Sequence, residues 1–240
     1  MAQAPAPSAA PAAGLVLSMS RDQVEIRSNF SGETLALFGV FAALPGPIKN
    51  YDVVATVRGP RGAVTVRRKQ QLGPFWLNLD ARRYIAIPSF IAVLSNREIE
   101  TIASAEVRED LRIGIPTLIP AQTAARGNDP EFRASLQRIR ENDGLFYEDA
   151  DAVRFIAPNV FQAQLALPGI APIGKYDVDV SVFSAGAAIA SQSISFLVDK
   201  SGVERTIARA AHVYPLAYGI VAVLLALFFG WFASVIFRRD

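Results

Sequence analysis

One uncharged stretch limits what this chain can be. From Val213 to Phe237, inside "YPLAYGIVAVLLALFFGWFASVIFRRD", 25 consecutive residues carry no charge. As a helix they rise about 37 Å, against a bilayer hydrocarbon core of about 30 Å, which is long enough to span with some tilt. Tyr214 and Tyr218 fall near one interface and Trp231, Phe232 and Phe237 near the other, where amphipathic rings prefer to lie. A transmembrane helix at 213–237 is therefore expected, followed by the basic end 238–240. Within it Ala222, Ala226, Gly230 and Ser234 recur every four residues. Small residues at that spacing let two helices pack closely in lipid, so this stripe is a candidate helix-packing face.

Upstream, "DKSGVERTIARAAH" predicts a juxtamembrane helix over 200–212, with Ser201 and Glu204 as a capping box and Pro215 as a kink. Arg205, Arg209 and His212 share one face of it; with Arg238 and Arg239 they are candidate contacts for lipid headgroups. Positive charges lie on both sides of the span, Lys200, Arg205 and Arg209 against Arg238 and Arg239. The positive-inside rule thus leaves the orientation undecided.

Residues 1–14, "MAQAPAPSAAPAAG", are Ala/Pro-rich and read as a flexible segment. They lack the basic and apolar regions of a signal peptide and resemble the mature N-terminus left once such a peptide is cleaved. From Leu15 onward the apolar period is two. "QVEIRS", "ETLALFGVF", "FWLNL" and "SFIAVLS" read as strands, and "YDVVATVRGPRGAVTVRRK" as a hairpin turning at "GPRG". Residues 98–144 predict a helical insert. Its first helix is capped by Ser95 or Asn96 and stopped at Gly114. Its second has Asp129 as cap, Pro130 at the first helical position and Gly144 as stop, with a loop between the two. Strands return over 145–199; Tyr176, Val178, Val180 and Val182 face inward, opposite Ile194, Phe196 and Val198, across a turn at Ser184-Ala185-Gly186. The fold class expected is mainly β: immunoglobulin-like sandwich material at 15–97 and 145–199, as one sandwich or two, a helical insert, and a single C-terminal transmembrane helix.

Chemistry is sparse. The chain has no Cys, which excludes disulfides, thiolate catalysis and Cys-ligated metal. His212 is its single His, at the edge of the apolar stretch, and no phosphate-binding glycine loop is present. Glu141, Asp143, Glu148, Asp149 and Asp151 gather acidic oxygens, but their spacing fits no calcium loop. No catalytic, cofactor-binding or metal-ligating residue is therefore assigned. The net charge of +2 with scattered basic residues argues against a nucleic-acid partner. The densest basic group is Arg58, Arg61, Arg67, Arg68 and Lys69, a candidate anion or partner surface that would otherwise serve as a charged sheet edge.

The motifs "SNFSGETLALFG", "VVATVRGPRGAVTVRRK", "LPGIAPIGKYDVDVSVF", "LVDKSGVERTI" and the closing "GWFASVIFRR" resemble, in this order, the alphaproteobacterial putative transmembrane protein family. The resemblance covers nearly everything from Leu15 onward. It implies an extracytoplasmic β domain, a C-terminal span in the inner membrane and no assigned activity. Its genes are often found beside sulfite-exporter-type permeases. The expected role is a non-catalytic accessory or assembly partner of another integral membrane protein, in contact with membrane lipid and without a cofactor. The alternatives are a tethered oxyanion-binding or sensing domain, and a tail-anchored cytosolic protein.

Overall fold

A computed structural model describes residues 14–26, 31–41, 51–72, 74–119, 130–200, 211 and 215–236. Within these, the side chains at 72, 79, 200, 217, 221 and 233–236 are not described. The chain divides into two units, 1–24 with 30–199, and 25–29 with 200–240.

The first unit is mainly β. One antiparallel sheet of four strands runs in the order β1 (Leu15–Met19), β3 (Gly32–Phe41), β10 (Val160–Pro168), β9 (Val153–Ala157). A second sheet of six runs β2 (Gln23–Ile26), β12 (Ala187–Lys200), β11 (Gly174–Ser184), β4 (Tyr51–Arg58), β7 (Ile91–Ser95), β8 (Phe146–Asp149), with only the β7–β8 pair parallel. β3 pairs with β10, and β4 with β11. The early and late strands are thus interleaved, and neither of these two sheets is built from one half alone.

Alternation dictates the inward faces. Tyr176, Val178, Val180 and Val182 are buried, and Tyr176 stands opposite Phe196 with rings stacked at 5.0 Å. The β11–β12 turn is Ala185-Gly186, both at positive φ (51° and 84°), the two-residue geometry that matches strand twist. Ser181, between two inward-facing valines and so on the opposite face, is buried as well. β4 and β7 are buried on both faces and so occupy the middle of their layer. Phe41 of β3 meets Tyr51 of β4 edge-on at 5.9 Å, an aromatic contact between the two sheets.

The expected hairpin at "GPRG" is not there. Gly59 N–H donates to Phe90 C=O at 2.9 Å, and Ser89 N–H to Pro60 C=O at 2.9 Å, so the ladder runs straight through these residues. β4 continues into β5 (Arg61–Leu72), and its partner strand β6 (Phe75–Pro88) continues into β7. The chain reverses between Leu72 and Phe75. Pro60 is tolerated because it only has to accept a bond there. The result is a two-stranded ribbon, β5–β6, separate from both larger sheets. It bulges between Gly62 and Val64, opposite Ile85–Ala86, and again between Arg68 and Lys69.

The first expected helix is broken into two short pieces, α1 (Ile99–Ile102) and α2 (Ala105–Asp110), and the segment after Gly114, expected as loop, opens with a third, α3 (Ile115–Leu118). Ser104 interrupts the run because its hydroxyl accepts the Val107 N–H and caps α2. Neither Ser95 nor Asn96 caps α1. Asn96 instead accepts the Val53 N–H at 2.8 Å and donates to buried Asp52 at 3.0 Å, and Arg97 grips the same carboxylate through Nε (2.7 Å) and Nη2. α4 (Pro130–Asn142) begins at Pro130 as expected and buries Phe132 and Leu136, while Ile139 is exposed. Asp129 lies outside the described residues. α3 and α4 lie against the six-stranded sheet at β7 and β8. The neighbouring strands β8 and β9 belong to different sheets, so the short acidic segment between them crosses from one layer to the other.

The second unit carries α5 (Pro215–Ile236), 22 residues without a charge, its described side chains exposed on every side. Among the fully described residues no helix is long and apolar enough to cross a membrane. The backbone of α5 is nevertheless helical without a break through positions 217, 221 and 233–236, whose side chains are not described.

Candidate functional site

The ribbon sorts the expected basic group into three places. Arg68 is committed to α4: it donates to Glu131 at 2.8 Å and lies 3.5 Å from Asp80. The Arg68 and Arg82 guanidiniums also sit 5.6 Å and 5.2 Å from the Phe132 ring centre, so cation–π contacts tie the ribbon to α4. Arg67 and Lys69 are exposed along the ribbon. Arg58 and Arg61 line a cavity of about 290 Å³ together with Ile85, Ala86, Pro88, Arg112, Thr117 and Leu118.

Arg58 is held by Asp179, outside the cavity lining, which also accepts from Ser193 Oγ at 2.5 Å. Burial lowers the Arg58 pKa from its ordinary value; Asp177 opposes this, and repulsion from Arg61 and Arg112 adds to it. Among the described residues no ion pair is made by Arg61 or Arg112. Arg112 was invisible to sequence reasoning. It belongs to the helical insert, far along the chain from Arg61, and no spacing rule connects them.

A second cleft, of about 470 Å³, opens between the helices and β8 and is lined by Glu100, Arg108, Gln137, Glu141, Tyr147 and Glu148. Glu148 is exposed as a residue, but its carboxylate turns inward to accept the Ile115 N–H at 2.8 Å. Burial raises its pKa; the Ile115 bond opposes that shift, while Glu100 and Glu141 add to it and Arg108 subtracts. Arg108 is paired with Glu100 at 3.0 Å. Of the expected acidic cluster, then, Glu141 and Glu148 meet in this cleft. Asp149 closes a turn by accepting the Asp151 N–H at 3.0 Å. Among the described residues no group of acids or His is arranged to hold a metal ion. Tyr147 serves the fold: its hydroxyl donates to Ala166 C=O (3.0 Å) and accepts Ala166 N–H (3.1 Å), stapling the six-stranded sheet to the four-stranded one.

The far end of the ribbon presents Phe75, Trp76 and Leu77 to solvent, the first two at 67% and 65% exposure. Along their whole length β5 and β6 carry six basic residues, Arg61, Arg67, Arg68, Lys69, Arg82 and Arg83, and one acid, Asp80. In the second unit Ala222, Ala226 and Gly230 lie exposed on α5, and a Cβ added at Gly230 would meet open space. The side chain of Ser234, and the whole of Arg205, Arg209, His212, Arg238 and Arg239, lie outside the described residues.

A model of the family described as "Putative transmembrane protein (Alph_Pro_TM)" matches residues 14–239. No curated protein matches the chain.

Proposed function

The chain belongs to the putative transmembrane protein family, and from that premise we propose that it is a single-pass inner-membrane protein whose β body lies in the periplasm. In this reading the C-terminus is cytoplasmic. The body is a non-catalytic accessory or assembly partner of another integral membrane protein, for which the family resemblance points to a sulfite-exporter-type permease.

The observation that carries the reading is α5. Its 22 uncharged residues are apolar all round, the pattern of a helix solvated by lipid rather than by water. They rise about 33 Å, enough for a hydrocarbon core of about 30 Å. The two larger sheets, joined by the Phe41–Tyr51 contact and the Tyr147 staple, support one elaborated sandwich of immunoglobulin-like type. The exposed Phe75-Trp76 tip supports a docking role, because aromatic anchors concentrate binding energy at interfaces. The exposed Arg67 and Lys69 further along the ribbon suit an acidic partner surface.

Purification of the tagged full chain in mild detergent tests this. An integral membrane protein should co-purify with the wild type. It should be lost from Gly230→Leu, which still inserts but separates packed helices, and kept by the off-stripe control Leu225→Ala. No enrichment of a membrane protein over an unrelated single-span control would reject the accessory role. A C-terminal reporter should be active only in the cytoplasm; activity only outside would reverse the orientation.

A further inference from the structure

We propose that the cavity of Arg58, Arg61 and Arg112 is a binding site for a small organic anion, its carboxylate or phosphate-type head held by the guanidiniums and its apolar body laid on Ile85, Pro88 and Leu118. The site is independent of the anchoring role, because all its residues belong to the first unit.

The first support is charge. Three guanidiniums line one cavity, while Asp179, from outside its lining, answers Arg58 alone. Like charges gathered at a partly dry site repel, and an anion removes that repulsion. The residue type matters as well. Arg stays charged and offers paired N–H donors that match two oxygens of a carboxylate or phosphate.

The second support comes from the backbone and is independent of charge. α2 and α4 end in the same way. After α4, Leu145 N–H bonds Arg140 C=O and Gly144 N–H bonds Glu141 C=O. After α2, Ile113 N–H bonds Arg108 C=O and Arg112 N–H bonds Glu109 C=O. This cap requires a left-handed residue, for which glycine is the usual choice. α4 uses Gly144 at φ 68°, whereas α2 places Arg112 there at φ 52°. Ala86, in the ribbon bulge, takes φ 60° and lines the same cavity. Among the described residues three non-glycines have positive φ, and the third, Ala185, sits in a hairpin turn that demands it. Two strained residues at one cavity, where glycine would serve the fold better, indicate that the side chain and the bulge are kept for the cavity.

The shape refines the ligand class. At about 290 Å³ the cavity lies at the small end of small-molecule sites. Its wall combines Thr117 and the arginines with Ile85, Pro88 and Leu118, so a head with an attached apolar body fills it better than a bare inorganic ion.

Titration of the full chain in detergent with phenyl phosphate, benzoate and inorganic phosphate, at ionic strength matched with sodium chloride, tests the site. The readouts are calorimetric affinity and melting temperature. Phenyl phosphate or benzoate should bind saturably and raise the melting temperature beyond the chloride control. Arg112→Gly should melt no lower than wild type without ligand, since glycine suits the cap, yet bind at least tenfold more weakly. Arg61→Gln should weaken binding similarly, and the ribbon variant Arg67→Gln/Lys69→Gln should keep wild-type affinity. The proposal is overturned if no probe binds above the chloride control. It is also overturned if Arg112→Gly and Arg61→Gln bind as wild type, or if the ribbon variant loses binding equally. Inorganic phosphate binding as tightly as phenyl phosphate would overturn the apolar half of the assignment. None of these results depends on whether a membrane partner co-purifies.

Discussion

Adding one methyl group at Gly39 should damage the β body more than most single changes. Gly39 of β3 stands opposite Phe161 of β10, and the ring lies across the glycine. A Cβ there would meet Phe161 Cζ at 2.0 Å and Cε1 at 2.2 Å. Carbon atoms pack at about 3.5 Å, so the ring would have to retreat by about 1.5 Å. It has nowhere to go. Phe161 is fully buried, stacked on Phe41 at 6.1 Å and edge-on to Phe155 at 6.5 Å. Overpacking of a close-packed core costs about 1–3 kcal/mol, and this site belongs at the upper end. Alanine recovers about 0.5–1 kcal/mol by restricting the unfolded chain. The net loss should therefore be about 2–2.5 kcal/mol, or about 4–10 °C in melting temperature for a body of this size. Thermal unfolding followed by circular dichroism measures it. Phe161→Leu in the Gly39→Ala background should restore part of the loss, because the two sites share one clash. A Gly39→Ala protein within about 0.5 kcal/mol of wild type, or strict additivity of the pair, would refute the reasoning.

Two further outcomes rest on the site geometry. Tyr147→Phe should cost about 1 kcal/mol at neutral pH by removing both bonds to Ala166, as read from urea unfolding. Burial pushes the Tyr147 hydroxyl from 10.0 up to about 12, so the fold prefers the neutral phenol. Wild-type stability should then fall as pH rises from 10 towards 12, where the unfolded chain ionises first, and Tyr147→Phe should show a shallower fall. Buried Tyr176, also raised, contributes the remainder. Glu148→Gln should raise the melting temperature at pH 7. The folded state holds this carboxyl above its ordinary 4.5, so ionisation weakens the fold, while Gln still accepts the Ile115 N–H. The gain should vanish below pH 4.5, where the carboxyl is protonated in both states; an unchanged gain there would refute it.

What the sequence disclosed and what it withheld divide along physical lines. Period-two runs exposed the inward face of β11 and β12 because one face of that pair is solvated. β4 and β7, buried on both sides, show no such contrast, and their partners could not be read from pattern alone. "GPRG" misled because turn-type residues report what the backbone permits, and here Gly59 and Pro60 serve a continuous ladder crossing between sheet and ribbon. The second helix was legible from Pro130 and Gly144, both local signals. The break at Ser104 was missed because Ser104 stands within one continuous apolar pattern. The basic group was legible as composition, but not the division that sends Arg68 to Phe132 and Glu131 and brings Arg58 and Arg61 to Arg112. That sorting depends on pairing register and on the fold of the insert, which are long-range properties.

The proposed function rests on α5 holding a self-sufficient β body to the membrane. Alkaline carbonate extraction of membranes, comparing the full chain with a chain ending at residue 200, probes this without intermediaries. The full chain should stay in the membrane pellet. The shortened chain should be released as a soluble protein whose far-ultraviolet dichroism is dominated by strand. Release of the full chain by carbonate, or retention of the shortened chain in the pellet, would contradict it.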